Sequence, residues 1–351
     1  MKNLKTFLTL FATTVGIAAF STNASATACP VTISSNSSTA ISDAAAANCV
    51  ITINNGVTLS TTGDSVSVSG SGSTVTNNGT ITSTSGYGIN SSGSNVDSIT
   101  NTGTINTSGS SGIINGNTLT TINNSGTITS TGSNGINNYS GTLTNLINTG
   151  TLTGGSTGSG VSMGGSSAAT ITTFTNNGTI SATGSGYGVN VSSTYGTITT
   201  FNNGQGGTSS SLTYNGKLPT NYNIIVTSPT QYGRLTVTNP LTSTTTFGIY
   251  SGSVSGVAAS TLAAGTYSNV LTGVSASNIT GATSGTYGSY NWSISNSSTN
   301  WNLVVTAGSS SSSSNSTSSS TNYFYINAGQ AVKATDIPRG VTIVLNGGTI
   351  L

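Results

Sequence analysis

A five-residue motif, Asn-x-Gly-Thr-Ile or its leucine variant, recurs along the chain and constrains the fold more than any other feature. Counting looser copies at both ends, its asparagines follow one another at intervals of 23, 24, 23, 24, 28 and 26 residues. These asparagines are Asn54, Asn77, Asn101, Asn124, Asn148, Asn176 and Asn202. A period of this length is typical of repeat architectures, in which each unit buries its apolar face against its neighbours.

Two other apolar positions keep the same phase as the motif. A Gly-Ile or Gly-Val step follows each full motif glycine by nine or ten residues, and a further apolar residue lies two positions before each full motif asparagine. Three short apolar segments per period, separated by Gly and Asn corners, describe one triangular coil. We therefore predict an all-β chain, a right-handed parallel β-helix (solenoid) with three-strand coils of roughly 24 residues, followed by a less regular β region.

The position within the motif predicts the role of each residue type. Side chains alternate along a strand, so the motif Ile or Leu should point inward and the threonines beside it outward. Stacked asparagines can hydrogen-bond from coil to coil, so the seven asparagines predict a ladder. The glycines are expected at corners that require positive φ. The predicted inward column is Ile81, Ile105, Ile128, Leu152 and Ile180.

The N-terminal segment carries the features of an export signal. Lys2 and Lys5 precede a short apolar run, and small residues before position 27 predict cleavage after Ala26. Residues 27–49 are predicted to form an N-terminal cap that holds the two cysteines, Cys29 and Cys49. In an exported protein such a pair predicts a disulfide, worth about 3 kcal/mol by loop closure. Two free buried thiols are the alternative.

Composition changes divide the rest of the chain. The coils are assigned to residues 50–206, and the Tyr-richer residues 207–307 to an irregular β module, either a modified continuation of the solenoid or a small domain packed on it. Residues 308–322 are a Ser-rich linker. Residues 323–351 begin a further β segment in which the motif returns, so we expect the chain to be the truncated front portion of a longer reading frame.

The inventory of charged residues excludes several classes of function. The chain has no His and no Glu, and beyond residue 26 four Lys and Arg residues balance four Asp residues. Without histidine there is no Ser-His-Asp triad and no His-based metal site. The aspartates are too scattered for the paired carboxylates of glycosidases. We predict no catalytic site, metal or cofactor, and hence no enzyme. We also predict no nucleic-acid partner, because a neutral chain lacks the cluster of basic residues that binds phosphates.

The signal-like start, the Asn-x-Gly-Thr-Ile coils with Gly-Tyr-Gly-Ile/Val steps, and the segment from Tyr214 to Tyr222 resemble passenger domains of bacterial autotransporters. The resemblance covers about residues 50–306 and continues weakly at the C-terminus. It implies a β-helix that is exported to the periplasm, the outer-membrane surface or the medium with help from a C-terminal β-barrel translocator. No such barrel follows in this sequence. The resemblance also implies a role in adhesion.

Three non-catalytic functions are compatible with this fold. The favoured one is adhesion, with surface glycans, abiotic surfaces or sister cells as partners. An inert stalk, whose polar rows serve only as soluble outward faces, is the alternative. Ice binding by stacked Thr-x-Thr pairs is a third hypothesis, although outward threonine is also common for β-propensity alone. The pairs are Thr80-x-Thr82, Thr127-x-Thr129 and Thr151-x-Thr153, with Asn106 and Ser181 as interruptions.

Overall fold

The computed structural model describes residues 25–26, 29–165, 167–240, 242–254, 256–308, 323–337 and 341–351. They belong to two compact units, Met1–Gly308 and Ser309–Leu351. In the first unit, parallel strands stack in coils of about 24 residues, which form a β-solenoid of about nine turns followed by a less regular β region. The predicted solenoid is therefore confirmed. Most of the predicted signal peptide lies outside the described residues.

Each full coil visits three sheets, numbered here in the order that the chain follows. The first sheet contains Val31–Ile33, Val50–Ile53, Ser73–Asn77, Val96–Asn101, Leu119–Asn124, Gly141–Asn148, Ala169–Asn176, Gly196–Asn203, Asn221–Ile224, Thr245–Ile249 and Ile279–Thr280. The second sheet contains Thr58–Thr61, Thr80–Ser83, Thr104–Thr107, Thr127–Ser130, Thr151–Gly154 and Thr179–Ala182. The third sheet contains Ser25–Ala26, Ile41–Ser42, Val66–Ser67, Ile89–Ser91, Ile113–Asn115, Ile136–Asn138, Val161–Met163, Val189–Val191, Leu212–Gly216, Leu235–Val237, Gly265–Thr272, Asn300–Ala307, Tyr290–Ser297 and Ser284–Tyr287.

Equivalent residues of successive coils stand directly above one another. In the second sheet Ile105 pairs with Ile81 on one side and with Ile128 on the other. All three are fully buried, while the threonines beside them are partly exposed. Leu152 and Ile180 continue the same column. Burying one such side chain stabilises the fold by roughly 1.5–3 kcal/mol, so the column is the apolar core of the solenoid.

Most motif glycines are required by close stacking between coils and not by positive φ. Gly56, in the first and looser copy of the motif, is the exception, with a φ of 74°. A Cβ atom on Gly103 would lie 2.0 Å from the carbonyl oxygen of Gly79, and one on Gly126 would lie 2.1 Å from that of Gly103. Gly150 and Gly178 repeat the arrangement. None of these four has positive φ, so the expectation from the sequence is wrong for them. A side chain at this corner would push neighbouring coils apart.

The solenoid does not stop at residue 206. Leu212–Gly216 pairs in parallel with Val189–Val191, so the third sheet continues through the region assigned to an irregular module. The first sheet continues in the same way, whereas the second ends at Thr179–Ala182. The third sheet then closes with antiparallel strands, beginning where Gly265–Thr272 pairs with Asn300–Ala307. Residues 207–308 are thus a modified continuation with an antiparallel end.

The core becomes aromatic toward this end. The rings of Phe174 and Phe201 stack with their centroids 4.6 Å apart, and Tyr222 packs against Phe201 at 6.0 Å. Burial raises the pKa values of Tyr214 and Tyr222 well above the ordinary range for tyrosine. Both hydroxyls donate to backbone carbonyls, so the rings fill the core without leaving an unsatisfied polar group.

The N-terminal cap is closed by a disulfide and attached to the coils by a buried carboxylate. A disulfide joins Cys29 to Cys49, with 5.3 Å between their Cα atoms. Asp43 is fully buried, and its carboxylate accepts hydrogen bonds from the Gly70 amide at 2.7 Å and from the Ser69 hydroxyl at 2.8 Å. Burial alone would raise the pKa of Asp43, but hydrogen bonds from Ser69, Gly70 and Ala45 outweigh it and lower the pKa. The cap is therefore held by a buried anion.

The second unit repeats the parallel pairing on a small scale. Tyr323–Asn327 pairs with Thr342–Asn346, and Ala331–Val332 pairs with Thr349–Ile350. Ile326 is buried, whereas Leu345 is 54% exposed. The β segment expected from the returning motif therefore consists of parallel strands. Residues 309–322 of the predicted linker lie outside the described part of the chain.

Replacing Asp43 by Asn should loosen the cap at neutral pH, because an amide cannot accept the same set of hydrogen bonds. We expect the opening free energy to fall by roughly 1–3 kcal/mol at pH 7. A folded pKa below the unfolded value stabilises above about pH 4, and this stabilisation is lost as the pH falls through the folded pKa. The difference between the variant and the wild type should therefore shrink in acid.

Hydrogen exchange of the Ser69 and Gly70 amides at pH 7 and pH 3 measures this opening. Exposed Asp97, changed to Asn, is the matched control. Protection that Asp43→Asn leaves unchanged at pH 7 would show that the carboxylate does not hold the cap.

Candidate functional site

A ladder of buried asparagine amides runs along the inside of the solenoid. The Asn77 Nδ2 donates to Asn101 Oδ1 at 2.7 Å, and Asn101 and Asn124 donate in the same way to the next coil at 2.7 and 2.8 Å. Asn148 donates to Asn176 at 2.8 Å. All five side chains are fully buried. Because every amide donates in the same direction, each coil supplies the acceptor that the preceding coil requires.

The first rung of the ladder has an unsatisfied atom. The Oδ1 of Asn77 is buried and has no hydrogen-bond partner. In the preceding coil the paired residue is Ile53, which is fully buried and has no side-chain amide to donate. The sequence motif had predicted Asn54 as the first member. Asn54 lies one position later and is partly exposed, because a shift of one residue along a strand moves a side chain to the other face.

The last rung also differs from the prediction. Asn176 pairs with Asn203, and its Nδ2 donates to Asn203 Oδ1 at 3.1 Å. Asn202 was predicted for this position, but it pairs with Thr175 on the opposite face of the strand and donates to the Thr175 hydroxyl. The spacing from Asn176 had suggested either of two adjacent asparagines. Only the strand register decides which one faces inward.

Gln205 terminates both the ladder and the second sheet. Its Oε1 accepts a hydrogen bond from the Ile180 amide at 2.7 Å, and its Nε2 donates to the Ile180 carbonyl at 3.1 Å. One side-chain amide thereby replaces the backbone of a seventh strand at this point of the edge. Sequence reasoning missed this residue. The available signal was that, in Asn202-Asn203-Gly204-Gln205, a glutamine occupies the position that threonine has in the full motif.

A polar cleft lies beside the point where the second sheet ends. Its volume is about 610 Å³. We name it the step cleft, and it is lined by Thr149, Gly150, Thr151, Asn177, Gly178, Thr179, Gln205, Ser209, Ser210 and Gln231. The lining consists of hydroxyl, amide and backbone groups and contains no charged side chain. Such a surface can form many neutral hydrogen bonds.

The outward face of the second sheet presents two rows of small polar side chains. Strand pairing superimposes these residues over six coils, and every one is partly or fully exposed. The first row is Thr58, Thr80, Thr104, Thr127, Thr151 and Thr179. The second row is Ser60, Thr82, Asn106, Thr129, Thr153 and Ser181. Neighbouring coils are about 4.8 Å apart, and outward residues of one strand about 6.7 Å apart.

Two exposed tyrosines lie at the corner between the third and first sheets. Tyr139 is 41% exposed and Tyr195 is 40% exposed. The longest coil, the 28-residue interval from Asn148 to Asn176, lies between them, and the Tyr139 ring lies against Gly165 of that coil. The sequence analysis located the long interval between Asn148 and Asn176, but not the tyrosines beside it.

One of the remaining carboxylates is engaged in structural hydrogen bonds. The Asp64 carboxylate accepts hydrogen bonds from the Tyr87 amide at 2.9 Å and from the Asn90 side chain at 2.8 Å. Across the described ranges no three His, Cys, Asp or Glu side chains come together as a possible metal site. In those same ranges no helix has the length and apolar character needed to span a membrane.

The fold and its internal columns define the class of this molecule as a parallel β-solenoid with a buried asparagine ladder. A comparison with protein-family models finds no matching family, and searches of curated proteins and of solved structures find no match either. Functional inference therefore depends on the surfaces described above.

The direction of the ladder predicts that loss of an asparagine from its middle destabilises the fold more than loss of the first asparagine. In Asn124→Leu, Asn148 Oδ1 loses its donor. It becomes a second unpaired buried oxygen, in addition to the Oδ1 of Asn77. In Asn77→Leu the unpaired oxygen only moves to Asn101. We expect the free energy of unfolding to fall by about 1–3 kcal/mol more in Asn124→Leu than in Asn77→Leu.

Urea unfolding of both variants measures the difference. The two substitutions are matched, since they replace the same residue type in the same column by a side chain of similar size. Equal losses in both variants would contradict a directional ladder.

Proposed function

We propose that this chain is a non-catalytic adhesive module that a bacterium displays at its surface, with neutral, hydrogen-bonding surfaces as its targets. The observation that carries the proposal is the pair of outward rows on the second sheet, which repeat hydroxyl and amide groups in register over six coils. Export, as expected from the N-terminal segment, would place these rows outside the cell.

The regular spacing of the rows suits a repetitive partner. A single neutral hydrogen bond contributes only about 0.5–1.5 kcal/mol, but many bonds made together give a much higher effective affinity. Surface glycans, hydrophilic abiotic surfaces and sister cells all present repeated hydroxyl groups. The β-barrel translocator implied by the resemblance would be the partner for export. Engagement of Asp43 and Asp64 in structural hydrogen bonds supports a non-catalytic role.

Display of the full chain on a non-adherent bacterium tests the proposal. We expect attachment to glycan-coated surfaces to rise above that of cells with the empty display anchor. Changing Thr82, Thr127 and Thr129 to valine preserves the branched shape and β-propensity but removes three outward hydroxyls. Attachment should then fall about threefold or more.

The matched control changes three other threonines to valine on the first sheet, at Thr74, Thr76 and Thr100, where they are also partly exposed. Failure of the wild-type chain to attach to glycans, abiotic surfaces and sister cells alike would contradict adhesion and favour an inert stalk.

Ice binding is a second candidate, and the same rows favour it. The two rows of six residues form a two-dimensional array, with about 4.8 Å between coils and about 6.7 Å along each strand. If this array orders water as ice does, the purified chain should shape ice crystals and show thermal hysteresis, and Asn106→Thr should strengthen both effects. Absence of both effects at high protein concentration would exclude this function.

A further inference from the structure

The step cleft is a consequence of how the second sheet ends. After Gln205 the chain leaves the sheet through Gly206 and Gly207, whose φ values of 145° and 64° favour glycine. Above the last strand there is consequently no next strand, while the first and third sheets continue. A step remains in the side of the solenoid, and the cleft lies beside it.

The wall of the cleft is held in place by backbone packing. Gly207 lies against the turn of a small antiparallel hairpin formed by Val226–Ser228 and Gln231–Tyr232. A Cβ atom on Gly207 would lie 2.2 Å from the Thr230 carbonyl oxygen, which shows how closely the two segments approach. The Gln231 Nε2 also donates to the Gly204 carbonyl at 3.2 Å. The cleft is therefore preformed.

The lining provides polar groups that the protein does not itself use. Within the described residues, the hydroxyls of Thr151, Thr179, Ser209 and Ser210 make no hydrogen bond to another protein group, and neither does the Asn177 side-chain amide. Ser209 and Ser210 are exposed at the rim. Hydroxyls both donate and accept, so the cleft offers mixed donors and acceptors to a ligand.

We propose that the step cleft binds one or two uncharged sugar rings of a glycan chain. A volume of about 610 Å³ falls within the range of small-molecule sites, about 300–1,000 Å³. Carbohydrate hydroxyls match a lining of neutral donors and acceptors. A strongly charged ligand would find no opposite charge among the lining residues to replace its hydration. This inference rests on the proposed adhesive function and assigns it a discrete site.

The test is calorimetric titration of the purified full chain with four oligosaccharides or polymers. The neutral probes are maltohexaose, cellohexaose and chitohexaose, and the charged comparison is polygalacturonate. At least one neutral probe should bind with one site per chain. Thr151→Val should raise its Kd about threefold to tenfold, as expected for one lost neutral hydrogen bond.

The control for Thr151→Val is Thr104→Val, which lies in the same outward row two coils away from the cleft. It should leave the Kd unchanged. Ser210→Trp should abolish binding by filling the cleft, whereas Ser108→Trp, at an exposed position away from the cleft, should not. Circular dichroism of every variant verifies that the solenoid is intact.

Several outcomes would overturn the inference. Absence of binding by all three neutral probes excludes the site, and tighter binding of polygalacturonate excludes the neutral ligand class. Equal weakening of binding by Thr104→Val and Thr151→Val would place the binding site on the outward rows and not in the cleft.

Attachment of displayed cells distinguishes failure of this inference from failure of the proposed function. If the purified chain binds an oligosaccharide but displayed cells do not attach, only the adhesive function is refuted. If displayed cells attach, Ser210→Trp does not reduce their attachment, and the purified chain binds no oligosaccharide, only the cleft is refuted.

Discussion

The fold depends on the parallel pairing of each coil with the next in a constant register. Constant register places like side chains above one another, so a choice made in one coil constrains the coils on both sides. For apolar residues such as Ile105 the result is a continuous core. For buried amides the constraint is stricter, because Asn101 obtains its main acceptor only from Asn124 in the next coil. An unpaired buried polar group costs about 1–3 kcal/mol, so the ladder stabilises only while it is continuous.

At the ends of a stacked structure, the terminal strands lack a neighbour on one side. This chain covers or satisfies each end in a different way. At the N-terminus, a disulfide closes the cap and the buried Asp43 carboxylate attaches it to the first coils. At the far end of the first unit, antiparallel strands close the third sheet. The second sheet ends earlier, where the Gln205 side chain satisfies the edge of its last strand. The step cleft results from that early end, so the way in which the second sheet terminates also creates the proposed recognition site.

Periodicity made the interior predictable and left the boundaries open. The inward column from Ile81 to Ile180 and the outward threonines follow from strand alternation, and the structure places them accordingly. At the margins, the motif assigned Asn54 and Asn202 to the ladder, where the register puts Ile53 and Asn203. A shift of one residue reverses the facing of a side chain. Local sequence at a degenerate motif does not specify that shift.

The amino-acid sequence by itself determined the all-β class, the coil length and the residue types in each column, because short-range alternation and a repeating period are written directly in the order of residues. The tertiary structure decided where the ladder begins and ends, that motif glycines are needed for close approach between coils, and that one sheet stops before the other two. These features depend on contacts between residues more than twenty positions apart. Gln205 acts on Ile180 only because coil stacking brings them together.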